Sequence, residues 1–359
     1  MGIISPDLLW KRAGRPHQGF RLFLTGKHTV EFQIVKSASH PAADSGVSSS
    51  ALILNSPVAR AFAVVGDRWA GLIIRDTFLG VRQFEVFRKR TGAARGTLTS
   101  RLKSLVEHNI LRRVRYQESP ERFEYRLTEK GLDLYPYVMS VWDWETRWSV
   151  ETHIPPDLTH TTCGKPTRPV FQCSSCHEPV TMREVQVKRQ ANPGPPETVP
   201  ARFQRRTPSD KLNTEGANRA FFHVLDIIGD RWTGLVLSAM WFGLSRYDEI
   251  ANALGISTNI LSDRLKVLVS ADILQQVPYQ QRPVRYKYRL TEKGAALYPV
   301  AVQMHEWAVR WLFKGEKPVI SLSHLPCGSN LHTELVCSAC RQPLNIHNVE
   351  FDTHILDGS

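Results

Sequence analysis

Between Ala61 and Leu72 apolar residues recur at helical spacing, with Phe62, Val65, Trp69 and Leu72 on one stripe. This predicts an amphipathic helix with Trp69 buried. A break at Leu79-Gly80 leads to a helical turn over Phe84 to Phe87, Thr91-Gly92 marks another turn, and a third helix runs from about Ala94 to His108. Two short helices around a tight glycine turn predict a helix-turn-helix. In the third helix Leu98, Leu102, Leu105 and Val106 form the buried stripe, so Gly96, Thr97, Ser100, Lys103 and Ser104 face outward, flanked by Arg101. The period then changes. Leu111 to Tyr116 and Arg122 to Leu127, the second alternating Phe123, Tyr125 and Leu127 with polar residues, bracket the polar segment Gln117 to Pro120 and predict a β-hairpin. Thr128 is an N-cap candidate, because its hydroxyl accepts the unpaired amides of a first turn. The long helix expected after it carries Val138, Val141, Trp144 and Trp148, more aromatic surface than one small domain hides, and is expected to pack on another subunit or copy.

The whole pattern occurs twice. Gly66-Asp-Arg-Trp69 recurs as Gly229-Asp-Arg-Trp232, a displacement of 163 residues that also carries Leu98–Lys103 onto Leu261–Lys266, Arg126–Gly131 onto Arg289–Gly294, and Trp144 and Trp148 onto Trp307 and Trp311. Collinear matches over roughly 120 residues mean a duplicated domain, not a solenoid of short units. In the second copy the buried stripe is Leu261, Leu265, Leu268 and Val269. Its outward set is Asn259, Ile260, Asp263, Lys266 and Val267, flanked by Arg264, and Thr291 is the matching cap.

The expected fold is mainly α with small β-hairpin wings (α+β): tandem winged helix-turn-helix domains, each followed by a small Cys/His-rich knob. The expected boundaries are a flexible N-terminal arm over 1–54, domains over 55–150 and 213–314, knobs over 151–186 and 315–359, and a Pro-rich basic linker over 187–212.

Charge adds a partner. The formal net charge is +12, which favours a polyanion, and the excess gathers on the hairpins: Arg112, Arg113, Arg115, Arg122 and Arg126 in the first, Arg282, Arg285, Lys287 and Arg289 in the second. Such hairpins suit wings lying along phosphates, and a polar helix face flanked by Arg and Lys suits a major groove. The DNA-contact candidates are therefore Thr97, Ser100, Arg101, Lys103, Arg115 and Arg122, with Asn259, Asp263, Arg264, Lys266, Arg282 and Arg285 in the second copy. No apolar run of about 18 residues occurs, so a membrane is not an expected partner and a cytoplasmic, nucleoid-associated protein is expected. His108, His223 and His305 have no counterpart in the other copy and no adjacent nucleophile pattern, which argues against an enzyme.

The six cysteines fall into two groups of three, and three cannot pair internally. Each group follows His-x2-Cys-Gly…Cys-x2-Cys: His160, Cys163, Cys173 and Cys176, then His324, Cys327, Cys337 and Cys340. Three thiolates and an imidazole complete a tetrahedral shell suited to Zn²⁺, which gives two expected structural sites, one per copy. His177 competes as fourth ligand in the first copy, but its counterpart is Arg341. Reduced or redox-sensing thiols are the alternative use.

The order of helix, GDRW, helix-turn-helix with LTSRLKSL, hairpin ending in EYRLTEKG and long C-terminal helix resembles the HxlR-like family of winged-helix transcriptional regulators, over about 55–150 and again over 217–314. The resemblance implies dimeric repressors or activators of double-stranded DNA. It places recognition helices at about 94–108 and 257–271, assigns phosphate or groove contact to Arg101 and Arg264, and puts the wings at Arg115 to Arg126 and Gln280 to Arg289. Ser56-Pro57 stands where family members often carry Cys-Pro. The expected function is a sequence-specific regulator, a repressor, built as an intramolecular pseudo-dimer or a homodimer. The alternative is an architectural or protein-interaction module with weak non-specific DNA binding.

Overall fold

The computed structural model describes residues 49–149, 158–189 and 221–351, all within one compact unit, Lys36–Ser359. Most of the expected arm and linker lies outside the described residues, yet both are shorter than expected at their ends. Ser49–Leu54 forms helix α1, with Ala51, Leu52, Ile53 and Leu54 buried, and residues 187–189 belong to a strand.

The stretch expected as one helix folds as two, α2 (Pro57–Val65) and α3 (Arg68–Phe78). The reason lies in GDRW: Asp67 is extended and its carboxylate accepts the Trp69 and Ala70 amides at 3.1 and 3.2 Å, capping α3. Trp69 is half-buried rather than buried. Helix α4 (Phe84–Thr91) ends at Gly92, whose φ of 69° needs a residue without a Cβ, and the turn feeds α5 (Arg95–Glu107), with Leu98, Leu102 and Leu105 buried as expected. Strands β1 (Leu111–Gln117) and β2 (Arg122–Leu127) pair antiparallel, Leu111 opposite Leu127. Thr128 caps the next helix by accepting from the Gly131 amide at 3.1 Å, but that helix is a single turn, α6 (Glu129–Leu132), and the long helix α7 (Tyr135–Trp148) starts afresh with a proline in its first turn.

The first copy's tail supplies β3 (Leu158–His160), β4 (Lys165–Thr167), β5 (Pro169–Cys173) and β6 (Val185–Arg189). The second copy repeats the plan: α8 (Phe222–Ile228), α9 (Arg231–Trp241), α10 (Tyr247–Leu254), α11 (Thr258–Ser270), β7 (Leu274–Gln281), β8 (Val284–Leu290), α12 (Glu292–Ala295) and α13 (Tyr298–Leu312), then β9 (Ile320–His324), β10 (Thr333–Cys337) and β11 (Val349–Glu350). No helix among the described residues is long and apolar enough to cross a membrane.

The copies pack on each other within the chain, and most of their buried apolar residues join one continuous cluster, with two smaller ones beside it. Helix α2 lies against α9 and α13, and α3 against α8. Two glycines at equivalent positions permit this approach: a Cβ on Gly234 would stand 2.4 Å from the Phe62 ring, and one on Gly71 would stand 2.9 Å from Leu225. Phe62 and Leu225 are themselves equivalent. The long helices add a reciprocal pair, Trp144 Nε1 donating to the Lys293 carbonyl and Trp307 Nε1 to the Lys130 carbonyl, each at 3.0 Å. Lys293 and Lys130 also lie over those same indole rings, each 5.4 Å from the centroid. Contacts without a counterpart have been added: Arg68 pairs with Asp226 at 2.7 Å, the fully buried Glu145 accepts the Val224 amide at 2.8 Å, and His223 stacks on Trp144.

Two stability predictions follow from these contacts. Gly234→Ala gains about 1 kcal/mol of helix propensity but must displace the Phe62 ring, at roughly 1–3 kcal/mol, whereas Gly96→Ala on α5, with open space around it, gains propensity only. Urea unfolding should rank Gly96→Ala above the parent and Gly234→Ala below it; a more stable Gly234→Ala would mean that the ring is not held against α9. Asp230→Ala removes the α9 cap and one of the two carboxylates on Arg264, whose Nε lies 3.0 Å from it and whose other partner is Asp263, and is expected to cost about 1–2 kcal/mol in the same unfolding experiment.

Candidate nucleic-acid interface and the Cys/His clusters

Helix α5 presents Arg95, Gly96, Thr99, Ser100 and Lys103 to solvent, with Thr97 and Ser104 half-buried; α11 presents Thr258, Asn259, Asp263 and Lys266. The buried leucine stripes fix these faces, since a helix that commits Leu98, Leu102 and Leu105 inward has no other rotation. Thr99 was missed from the helical pattern because it neighbours the buried Leu98, yet it is exposed; its counterpart Ser262 instead bonds the Tyr247 hydroxyl at 3.1 Å.

Arg101 and Arg264 are paired within their own domains. Both were expected at phosphates or in a groove, but both turn back into their own domain, where Arg101 Nε lies 3.1 Å from Asp67 and Arg264 Nε 3.0 Å from Asp230. Their side chains are only 21% and 11% exposed, against 75% for Lys103. Each ties α5 or α11 to the carboxylate that caps the helix two before it, Asp67 on α3 and Asp230 on α9. Burial pushes the Asp67 carboxyl above its usual range even though Arg101 and the two capped amides pull it down. Asp263 stays largely exposed while its carboxylate is held by Arg264.

The two hairpins differ. In the first, Arg115 lies 3.8 Å from Glu118 and 3.6 Å from Glu121, Arg126 pairs with Glu124 at 2.9 Å, and Arg113 stacks over Phe123 at 3.8 Å. Arg122 is exposed. In the second, Arg282 and Arg285 are exposed beside the exposed apolar Val284 and Tyr286. Among the described residues neither arginine has a carboxylate within ion-pair distance.

The eight Cys/His candidates form two clusters of three thiols and one imidazole, but not one per copy. His160 and Cys163 meet Cys337 and Cys340, while His324 and Cys327 meet Cys173 and Cys176, all ligand atoms within 4.8 Å of one another in each cluster. The expectation of a site built from a single copy is thereby corrected. The cause is strand pairing: β5 pairs antiparallel with β10, β3 with β11, and β6 with β9, so the tails of the two copies interleave. In the β5–β10 register Cys173 faces Thr333 and Cys337 faces Pro169, which puts the two cysteines at opposite ends of one ribbon. Helix α13 anchors this ribbon through Gln303 Nε2, which donates to Thr333 at 3.0 Å, and through Glu306, which accepts the Thr333 amide at 2.9 Å. Burial pushes Glu306 up to about 7.

In the first cluster His160 Nδ1 lies 3.4 Å from Cys163 Sγ and 3.3 Å from Cys340 Sγ, and Cys163 Sγ lies 4.0 Å from Cys337 Sγ. The second has matching distances of 3.6, 3.3 and 3.9 Å, for His324 to Cys327 and Cys176 and for Cys173 to Cys327. A tetrahedral Zn²⁺ with Zn–S near 2.3 Å and Zn–N near 2.0 Å sets its ligand atoms roughly 3.5–3.8 Å apart, so the donor set and its dimensions fit that ion. Both imidazoles are fully buried. The Ser329 amide and His324 pull the Cys327 thiol down to about 6. Burial pushes the Cys337 thiol up, but the Thr167 hydroxyl at 3.1 Å and the Cys340 and Ala339 amides outweigh it and hold it at about 6. His177 belongs to neither cluster and lies 3.6 Å from Glu334 at the surface.

Comparison with known proteins bears on the helix-turn-helix portion. The HxlR-like helix-turn-helix family matches residues 64–153 and 227–316. Rv3095 of Mycobacterium tuberculosis, an uncharacterized HTH-type transcriptional regulator, is 42% identical over 141 residues, 39% of this chain and 87% of that protein. YvaP of Bacillus subtilis, an uncharacterized HTH-type transcriptional regulator, is 36% identical over 93 residues, 26% of this chain and 86% of that protein. The crystal structure of PA1607 aligns at 34% identity over 37% of this chain and 94% of that one, with a TM-score of 0.34. With two matches that together span half of the sequence, each falling on one copy of the helix-turn-helix and hairpin, the chain belongs to the HxlR-like helix-turn-helix family of transcriptional regulators.

Proposed function

We propose that this chain is a sequence-specific DNA-binding repressor that acts on the nucleoid in the cytoplasm, with α5 and α11 entering the major groove at two half-sites and the hairpins lying on flanking phosphates. The observation that carries this reading is the duplicated pairing of an exposed polar helix face with an exposed arginine-bearing hairpin. Thr97, Thr99, Ser100 and Lys103 supply base-edge contacts in one half-site, and Asn259, Asp263 and Lys266 in the other. Arg115, Arg122, Arg282 and Arg285 supply phosphate contacts. Arg101 and Arg264 act as positioning residues. Because the outward residues differ, Ser100 against Asp263 and Thr97 against Ile260, the operator is asymmetric, its half-sites about one helical turn apart. In the same reading each Cys/His cluster holds one structural Zn²⁺, supported by the ligand set and its spacing.

The first test is selection of genomic DNA fragments by the purified full chain at two salt concentrations. A bipartite motif with unlike halves is expected, with Lys103→Ala relaxing one half and Lys266→Ala the other by about 1–3 kcal/mol. Arg282→Ala and Arg285→Ala should each lower the slope of log affinity against log salt by about 1; Arg115→Ala should lower it less, because Glu118 and Glu121 already lie beside it. Equal retention of random and genomic DNA would sink the specific-repressor reading and leave an architectural one. Elemental analysis of the full chain should give two zinc ions per chain, and chelation should lower its Tm; a chain purified without metal and unchanged by added zinc would remove the ion from the proposal.

A further inference from the structure

We infer that the two Cys/His clusters form a double clasp, in which each metal ion is shared between the copies and metal occupancy fixes the separation of the two recognition helices. This rests on the DNA-binding reading only where it touches operator spacing. Each ion would take a His-x2-Cys pair from one copy and a Cys-x2-Cys pair from the other. The ligands sit at the two ends of a ribbon, β5 with β10, that itself has one strand from each copy. Each copy therefore grips the far end of the other's strand, and neither site is complete in one copy alone. A metal bound in such a set stabilises the docked arrangement of the tails, since only that arrangement assembles four ligands. The ribbon is bonded to α13 through Thr333 and packs against α7. These long helices carry Trp144 and Trp307, the indoles bonded to the carbonyls of Lys293 and Lys130 just beyond each hairpin. The chemistry of the ligand set, three thiolates and one imidazole, selects Zn²⁺ over a hard divalent cation.

Crossed ligation makes a prediction about metal counts that no single-copy arrangement shares. Cys176→Ser with Cys327→Ser removes two ligands from the same crossed cluster, so one zinc per chain should remain by elemental analysis, and Co²⁺ should give its tetrahedral thiolate spectrum at half the parent intensity. Cys176→Ser with Cys163→Ser instead removes one ligand from each crossed cluster, so both sites should weaken and the spectrum should fall well below half. The opposite ranking, half intensity for Cys163/Cys176 and less for Cys176/Cys327, would overturn the crossed assignment. These thiols are exposed or half-buried, unlike Cys173 and Cys337, so the variants should fold; circular dichroism checks this. Hydrogen exchange of the full chain then tests the clasp itself without DNA: removing zinc should speed exchange of the β5–β10 amides about tenfold or more, and unchanged protection would overturn it. Where the selection yields an operator, changing its half-site spacing by two base pairs should cost the zinc-loaded chain about tenfold in affinity and the stripped chain no more than about twofold. Equal spacing tolerance in both forms would refute the link from metal to operator, and failure to find any operator would fall on the DNA-binding reading while the metal counts stand.

Discussion

The close approach of the two copies at Gly71 and Gly234 is the constraint on which the rest of the structure depends. A helix bearing any side chain at those positions would hold Leu225 or Phe62 away, because packed interiors have no spare volume for a methyl group. With the glycines in place, one core runs through both copies. Trp144 and Trp307 then reach backbone carbonyls of the opposite copy, satisfying indole N–H groups whose burial would otherwise be costly.

From that interface a short path leads to α5 and α11. Asp67 caps α3, the helix that carries Gly71, and the same carboxylate holds Arg101 of α5; Asp230 does the same for α9, which carries Gly234, and Arg264 of α11. One largely buried ion pair per copy thus ties the interface helix to α5 or α11, and this is why the GDRW aspartate and an arginine some 34 residues later belong together. With these arginines turned inward, the outward faces of α5 and α11 are left to other, mostly polar, residues, and those residues differ between the copies.

The duplication has not stayed symmetric. Arg68 with Asp226, Glu145 with Val224 and Asp133 with Trp311 bridge the copies without equivalents, and only one wing surrounds its arginine with glutamates. Fusion into one chain removes the requirement that each half match an identical partner, so the interface and the outward helix faces have been free to diverge together. The interleaved tails carry the same logic further, since each cluster draws ligands from both halves.

Local patterns alone determined a good deal of this protein: the repeat, the helix-turn-helix, the hairpins, the threonine caps and the identity of the eight Cys/His residues all rest on periodicity, backbone chemistry or spacing within a few residues. The split at Asp67 breaks a stretch whose apolar periodicity runs straight on, because a side-chain cap is visible only in its hydrogen bonds, and the helix opened by Thr128 ends after one turn, before α7 restarts with Pro136 in its first turn. Tertiary structure decided which way Arg101 and Arg264 point, because a long side chain at the edge of a helix face can reach either solvent or a carboxylate 34 residues away. It also decided which four ligands form a cluster. Cys-x2-Cys spacing brings two thiolates together, but the copy that supplies the other two ligands depends on which strands pair, and strand pairing between distant segments leaves no mark in local sequence.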